Sequence, residues 1–155
     1  MNEMDRKILS LLQQDASLPV TEIAQRVHLS TTPCWRRIQN LEQAGVIKRR
    51  VALLDRAKVN LGVTVFVRLK TARHDHAWLE TFARKLETMD EVQEFYRMSG
   101  DVDYLLKVVV PDIPGFDAFY KRLIEVPGLA DVSSNFAMEE IKYTTALPLH
   151  AVTAA

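Results

Sequence analysis

A chain of 155 residues, 48% hydrophobic and 26% charged, has the make-up of a soluble globular protein and is long enough for one domain or two small ones. Twenty basic and twenty acidic residues cancel, so no global charge draws the chain to nucleic acid, and a single cysteine excludes a disulfide framework. No apolar run approaches the ~18 residues of a membrane span, and the acidic start Met-Asn-Glu-Met-Asp lacks a secretory signal's basic and apolar regions, so a cytoplasmic protein is expected.

The charge is unevenly placed. Residues 1–50 carry eight Lys/Arg against five Asp/Glu, a balance of +3, and the remainder carries twelve against fifteen, a balance of −3. A basic N-terminal module joined to an acidic partner domain fits that asymmetry.

In chain order, Asp5 caps a first helix with apolar positions Ile8, Leu9, Leu11 and Leu12, ending near Gln14. Residues 16–19 form a connector, and a short second helix runs from Val20 to Val27 with Ile23, Ala24 and Val27 inward. After a tight turn at His28–Ser30, a third helix begins with Ser30 or Thr32 as its cap and Pro33 in its first turn, where a missing N–H costs nothing. Cys34, Ile38 and Leu41 mark its buried stripe, and Gly45 stops it. The order is that of a helix-turn-helix.

Thr32, Arg36, Asn40 and Gln43 fall opposite that stripe, with Arg37 at their flank. These are side-chain types that hydrogen-bond base edges and phosphates. Thr31 and Thr32 open the helix, where base edges and phosphates come close. Lys48, Arg49 and Arg50 follow on a short extended wing, Val46 to Leu53, and would grip phosphates. Trp35 borders the apolar stripe and is expected as a packed core or helix-interface residue rather than a DNA stacker, and Cys34 is expected to be a buried, inert thiol.

Residues 1–52 are thus expected to form a winged helix-turn-helix domain and 53–62 a linker, with a turn of helix from Asp55 and a hinge at Asn60 to Gly62. Residues 63–150 change period. Val63, Val65, Val67 and Leu69 alternate with Thr64, Phe66, Arg68 and Lys70, giving a two-faced strand. A helix follows over Asp75 to Met89, then a hairpin of strands Val92–Ser99 and Asp103–Val110 around Gly100-Asp101. A second helix carries Phe116, Phe119, Tyr120, Leu123 and Ile124, and Val132–Met138 and Ile141–Leu147 are expected as the last strands. The order is βαββαβ with an extra strand, a ferredoxin-like domain in an α+β chain. The Ala-rich tail after His150 is expected to fray. Strand Tyr104–Val110 is apolar on both faces, yet such a domain covers only one sheet face with helices, so a homodimer is expected.

Met4-Asp-Arg-Lys-Ile-Leu-Ser-Leu-Leu-Gln13, Leu29-Ser-Thr-Thr-Pro-Cys-Trp-Arg-Arg-Ile38, Gly45-Val-Ile-Lys48, Ser99-Gly-Asp-Val-Asp-Tyr-Leu-Leu106, Val126-Pro-Gly128 and Met138-Glu-Glu-Ile-Lys142 together resemble the Lrp/AsnC transcription regulators over roughly Met4 to Leu149. The resemblance implies a regulator binding double-stranded DNA through the first domain and sensing a small amino acid through the second. It implies dimers made through the sheets, often built into tetramers or octamers, with an effector pocket between neighbouring dimers. That pocket would be lined by Gly100, Asp101, Asp103 and Tyr104 at the hairpin turn and by Ser134, Asn135 and Phe136 on the fourth strand. By residue type alone the Gly100–Asp103 stretch is a hairpin turn with aspartates bonding locally. The closing segment Ile141–Pro148 is similar to a branch that includes cysteine-responsive regulators.

Some siroheme decarboxylases resemble the same two-domain chain, which makes an enzyme the alternative. Their tetrapyrrole needs a pocket of His and Arg, whereas His74, His76 and His150 lie outside the expected pocket strands and the basic helix is retained. A sensing module that has lost DNA binding is a third possibility, disfavoured by the same helix. No cofactor or metal is expected: His74 and His76 lack a second ligand cluster, and Asp75 reads as a helix cap.

Overall fold

In a computed structural model, residues 1–151 are described and fall into two units. The first comprises Met1–Leu53 and, among the described residues, 142–151; the second is Leu54–Ile141.

The first unit holds α1 (Glu3–Leu12), α2 (Val20–Arg26) and α3 (Thr31–Gln43). Helix α1 starts earlier than expected because Asn2, not Asp5, is its N-cap. Asp5 closes a capping box, taking the Asn2 N–H while the Asn2 side chain takes the Asp5 N–H. Ile8, Leu12, Ile23, Ala24, Val27, Cys34 and Ile38 form one buried cluster, with Ile47 packed on it. Gly45, at φ +70°, ends α3 in a conformation that suits glycine, and the Val46 and Ile47 N–H groups both bond Leu41 O. The expected strand-like wing is not a strand: residues 48–54 have no regular structure.

The second unit is β1 (Val63–Thr71), α4 (His76–Glu87), β2 (Val92–Arg97), β3 (Tyr104–Val110), α5 (Ile113–Ile124) and β4 (Leu129–Phe136). All pairings are antiparallel in the order β2-β3-β1-β4, as a ferredoxin-like βαββαβ chain requires. Asp75 and Asp112 cap the two helices by accepting the Trp78 and Gly115 N–H groups. Val65, Val67, Leu69, Tyr104, Leu106 and Val108 face the helices and pack against Trp78, Phe82, Phe116 and Phe119. Asp55 accepts the Ala57 and Lys58 N–H groups, giving the expected turn before the sheet.

The expected strand at Ile141–Leu147 does not form. Ile141 is 90% exposed, and the chain from Lys142 rejoins the first unit instead of extending the sheet. Its anchor is Gln13, whose Nε2 donates to Leu147 O at 2.9 Å while Leu147 N donates to Gln13 Oε1 at 2.8 Å. Residues 152–155 of the Ala-rich tail, expected to fray, lie outside the described residues.

Candidate nucleic-acid interface and effector site

Helix α3 is built as its periodicity predicts. Cys34, Ile38 and Leu41 are buried, and Thr31, Thr32, Arg36 and Asn40 are exposed on the other side. The eight residues expected to meet DNA divide by their partners. Arg36, Lys48 and Arg49 make no ion pair among the described residues, so three cations are free for an external anion. Arg37 is half-buried, and its Nη1 donates to Asp5 Oδ1 at 2.8 Å, which ties α3 to the start of α1. Arg50 folds back on Glu42, Nη2 to Oε1 at 2.9 Å. These two were expected as DNA contacts and are engaged within the unit.

Trp35 departs from the packed core or helix-interface position expected for it. It is 50% exposed and makes no hydrogen bond or ring contact among the described residues. It lies about 100° around the helix from Arg36, on the rim of the exposed face, close enough to the apolar stripe for sequence periodicity to misplace it. Cys34 is buried as expected, and burial pushes its thiol above the ordinary range, against a smaller opposing pull from Arg37.

In the second unit the turn at 98–103 is pinned to the end of β1. The Asp103 N–H donates to Leu69 O, Asp103 Oδ2 accepts the Thr71 N–H at 2.8 Å, and Met98 N donates to Asp103 O. Thr71 Oγ1 in turn donates to Gly128 O at 2.9 Å. Gly100, at φ +101°, and Asp101 are exposed at the tip. Tyr104 is not at the surface: its ring is buried beside Trp78, Phe82 and Phe95, so only its backbone reaches the turn.

Strand alternation splits the expected trio on β4. Asn135 pairs with Phe66 and lies on the sheet face without helices; Ser134 and Phe136 pair with Val67 and Val65 and lie on the helix side. Phe136 there meets Phe116 edge-on, with ring centroids 5.0 Å apart. The turn and the trio are not neighbours in one chain. Tyr104 is level with Leu69 and Phe136 with Val65, on opposite sides of β1. That places them about 13 Å apart along the strands and about 10 Å across them.

The open face carries Tyr96, Leu105, Lys107, Phe66, Arg68 and Asn135. Glu94 sits among them, 3.0 Å from Lys107 Nζ and accepting the Tyr96 hydroxyl at 2.7 Å. The Tyr96 bond and then the Lys107 bond hold its carboxyl below the ordinary range, and the same contact raises the Tyr96 phenol. His74 and His76 lie around the α4 cap, and no group of three His, Cys, Asp or Glu suited to a metal occurs among the described residues. No described helix is long and apolar enough to cross a membrane.

Two family models match this chain. Residues 1–48 match a winged helix-turn-helix DNA-binding model, and residues 64–147 match the Lrp/AsnC ligand binding domain. The DNA-binding transcriptional activator DecR of Escherichia coli strain K12 is 50% identical over 150 residues, covering 96% of this chain and 99% of its own. A crystal structure of an AsnC family transcriptional regulator from Agrobacterium tumefaciens superposes with a TM-score of 0.94 at 62% identity, covering 97% and 98% of the two chains. A Neisseria meningitidis transcriptional regulator in complex with L-methionine superposes at 0.92 with 37% identity, covering 96% and 97%.

Proposed function

Because this chain belongs to the Lrp/AsnC family of transcription regulators, we propose that it reads specific duplex DNA through α3 as an oligomer whose affinity is set by one small amino acid, cysteine first among them. One observation carries the reading. The exposed face of α3 presents Thr31, Thr32, Arg36 and Asn40, and among the described residues neither Arg36 nor the following Lys48 and Arg49 makes an ion pair. Hydroxyl, amide and guanidinium groups at helical spacing match the donor and acceptor pattern of a major groove, and the two following cations match phosphates. Arg37 and Arg50 then act through fold: they hold α3 against α1 and the chain after α3 against Glu42.

The effector site rests on the pinned turn and on Asn135. Gly100 and Asp101 stand at an exposed tip held by Asp103, and they and the β4 residues lie apart within one chain, which favours a pocket completed by another copy. The half-open sheet, with Tyr96 50% and Phe66 38% exposed, supports pairing of two copies through that face. An amino acid that favours one arrangement of dimers then shifts which spaced DNA sites are held together. Cysteine is supported by the closing segment Ile141–Pro148, and a thioether amino acid bound to a similar protein supports a sulfur-bearing side chain.

The test is selection of duplexes from a random-sequence pool by the full chain, followed by titration with each of the free amino acids. A recovered consensus whose binding responds to a sulfur amino acid is expected. Binding without sequence preference would overturn the first part of the proposal, and indifference to every amino acid the second.

A further inference from the structure

Trp35 is a large apolar side chain left half in solvent on the helix that carries the candidate DNA-reading residues. Its indole makes no hydrogen bond or ring contact among the described residues, whereas the other tryptophan, Trp78, is 5% exposed, stacked on Phe82 at 4.8 Å and bonded through Nε1 to Pro127 O. About half of the 150–250 Å² that such a ring ordinarily buries therefore remains open. Thr31, one turn before Trp35, and Gln39, one turn after it, form a second stripe beside Thr32, Arg36 and Asn40. Trp35 thus flanks the arginine at the N-terminal half of the helix, the part that reaches base edges when such a helix docks.

The chemistry narrows what the ring meets. An indole offers one N–H donor and a flat apolar surface, with no acceptor. The apolar feature displayed on base edges in the major groove is the thymine C5-methyl group. A seam with another protein copy fits less well, since the neighbouring Thr31, Thr32, Arg36 and Gln39 are polar or cationic and charge is depleted from the core of protein interfaces. We propose that Trp35 is a specificity-determining residue that packs its indole on a thymine methyl beside the base or phosphate taken by Arg36. The inference rests on the DNA-binding reading and adds the base that the ring selects.

The experiment uses the full chain and a duplex it recovers from a random-sequence pool, with anisotropy of labelled DNA reporting binding and tryptophan emission reporting the ring. Saturating duplex shifts the emission of the wild-type protein and leaves Trp35→Phe unshifted, because Trp78 is buried. Replacing the contacted thymine by deoxyuridine weakens the wild type about fourfold, the worth of one buried methyl, and leaves Trp35→Ala unaffected. Trp35→Phe, which keeps an apolar ring, retains part of that discrimination. If duplex binds and emission does not move, or if Trp35→Ala still distinguishes thymine from deoxyuridine, the inference is overturned while the DNA reading stands. Emission that shifts with protein concentration in the absence of DNA would place the ring against a second copy and overturn it as well. Failure to bind any duplex would bring down the DNA reading and this inference together.

Discussion

Arg37 and Asp5 are joined at 2.8 Å, a link between the middle of α3 and the first turn of α1. The neighbouring Arg36 has no such link, so two adjacent arginines have separable tasks. Arg36→Ala is expected to weaken duplex binding about tenfold or more without moving the melting temperature, as loss of a charged groove contact does. Arg37→Ala is expected to cost about 0.5–1 kcal/mol of stability, the range for a partly exposed ion pair, which lowers the melting temperature by a few degrees. Anisotropy titrations paired with thermal melts read both effects; a variant pair with the two effects exchanged would refute the division.

Asp103 spends a carboxylate oxygen on the Thr71 N–H, and Thr71 is 6% exposed. Asp103→Ala leaves that donor without a partner, at a cost of about 1–3 kcal/mol, and frees the turn that carries Gly100 and Asp101. The amino acid response is expected to be blunted as the turn loosens. Asp103→Asn keeps an acceptor oxygen and should keep both the stability and most of the response. Melting curves with and without each free amino acid separate the cases, since a ligand of the folded state raises the melting temperature. Loss of response in the Asn variant at unchanged stability would instead assign the Asp103 charge to the effector itself.

What could be read from the sequence follows the range of the forces involved. Helix periodicity found Cys34, Ile38 and Leu41, and strand alternation found Val65, Val67 and Leu69, because burial of one face repeats locally. Asp75 and the Gly100 turn were legible for the same reason: caps and turns are set within four residues. The Arg37–Asp5 pair spans 32 residues and the Gln13–Leu147 pair 134, and neither has a local signature. Ile141–Leu147 has strand-like residues without a strand beside it, so propensity alone misassigned it. The family resemblance places Ser134, Asn135 and Phe136 in one pocket lining, but the pleat sends Asn135 to the open face and its two neighbours to the helix side.

Gly128 sits at φ +92°, and a Cβ built there would lie 2.6 Å from Trp78 Nε1. Alanine at this position must displace an indole that is bonded to Pro127 O and stacked on Phe82, and must adopt a left-handed backbone as well. Gly128→Ala is expected to destabilise the second unit by about 2–4 kcal/mol. Urea unfolding followed by tryptophan emission measures it, and a change under about 0.5 kcal/mol would mean that the indole relocates without cost.

Glu94 gives the sheet a defined acid response. Its carboxyl is held below its ordinary value near 4.5 by the Tyr96 hydroxyl and Lys107. A depressed folded-state pKa stabilises the fold above the unfolded value, and that stabilisation disappears as pH falls through the folded one. Glu94→Gln should therefore be less stable than the wild type at neutral pH, with the difference closing as the solution is acidified below about pH 4.5. Paired denaturation curves across that range test the sign; a gap that widens on acidification contradicts it.

Gln13 closes a two-bond ring with the Leu147 backbone, imitating with a side-chain amide the exchange that a neighbouring strand would make. Leu147 is 69% exposed, so burial of its own side chain adds little to this link. The two hydrogen bonds contribute about 1 kcal/mol for exposed groups. Gln13→Ala is accordingly expected to speed hydrogen exchange at the Leu147 amide about fivefold and to open residues 142–148 to proteolysis. Gln13→Glu keeps the acceptor and loses the donor, so its exchange rate should fall between the two. Equal exchange in all three proteins would mean that the neighbouring turn at Leu149–Ala151, and not the glutamine, fixes the end of the chain.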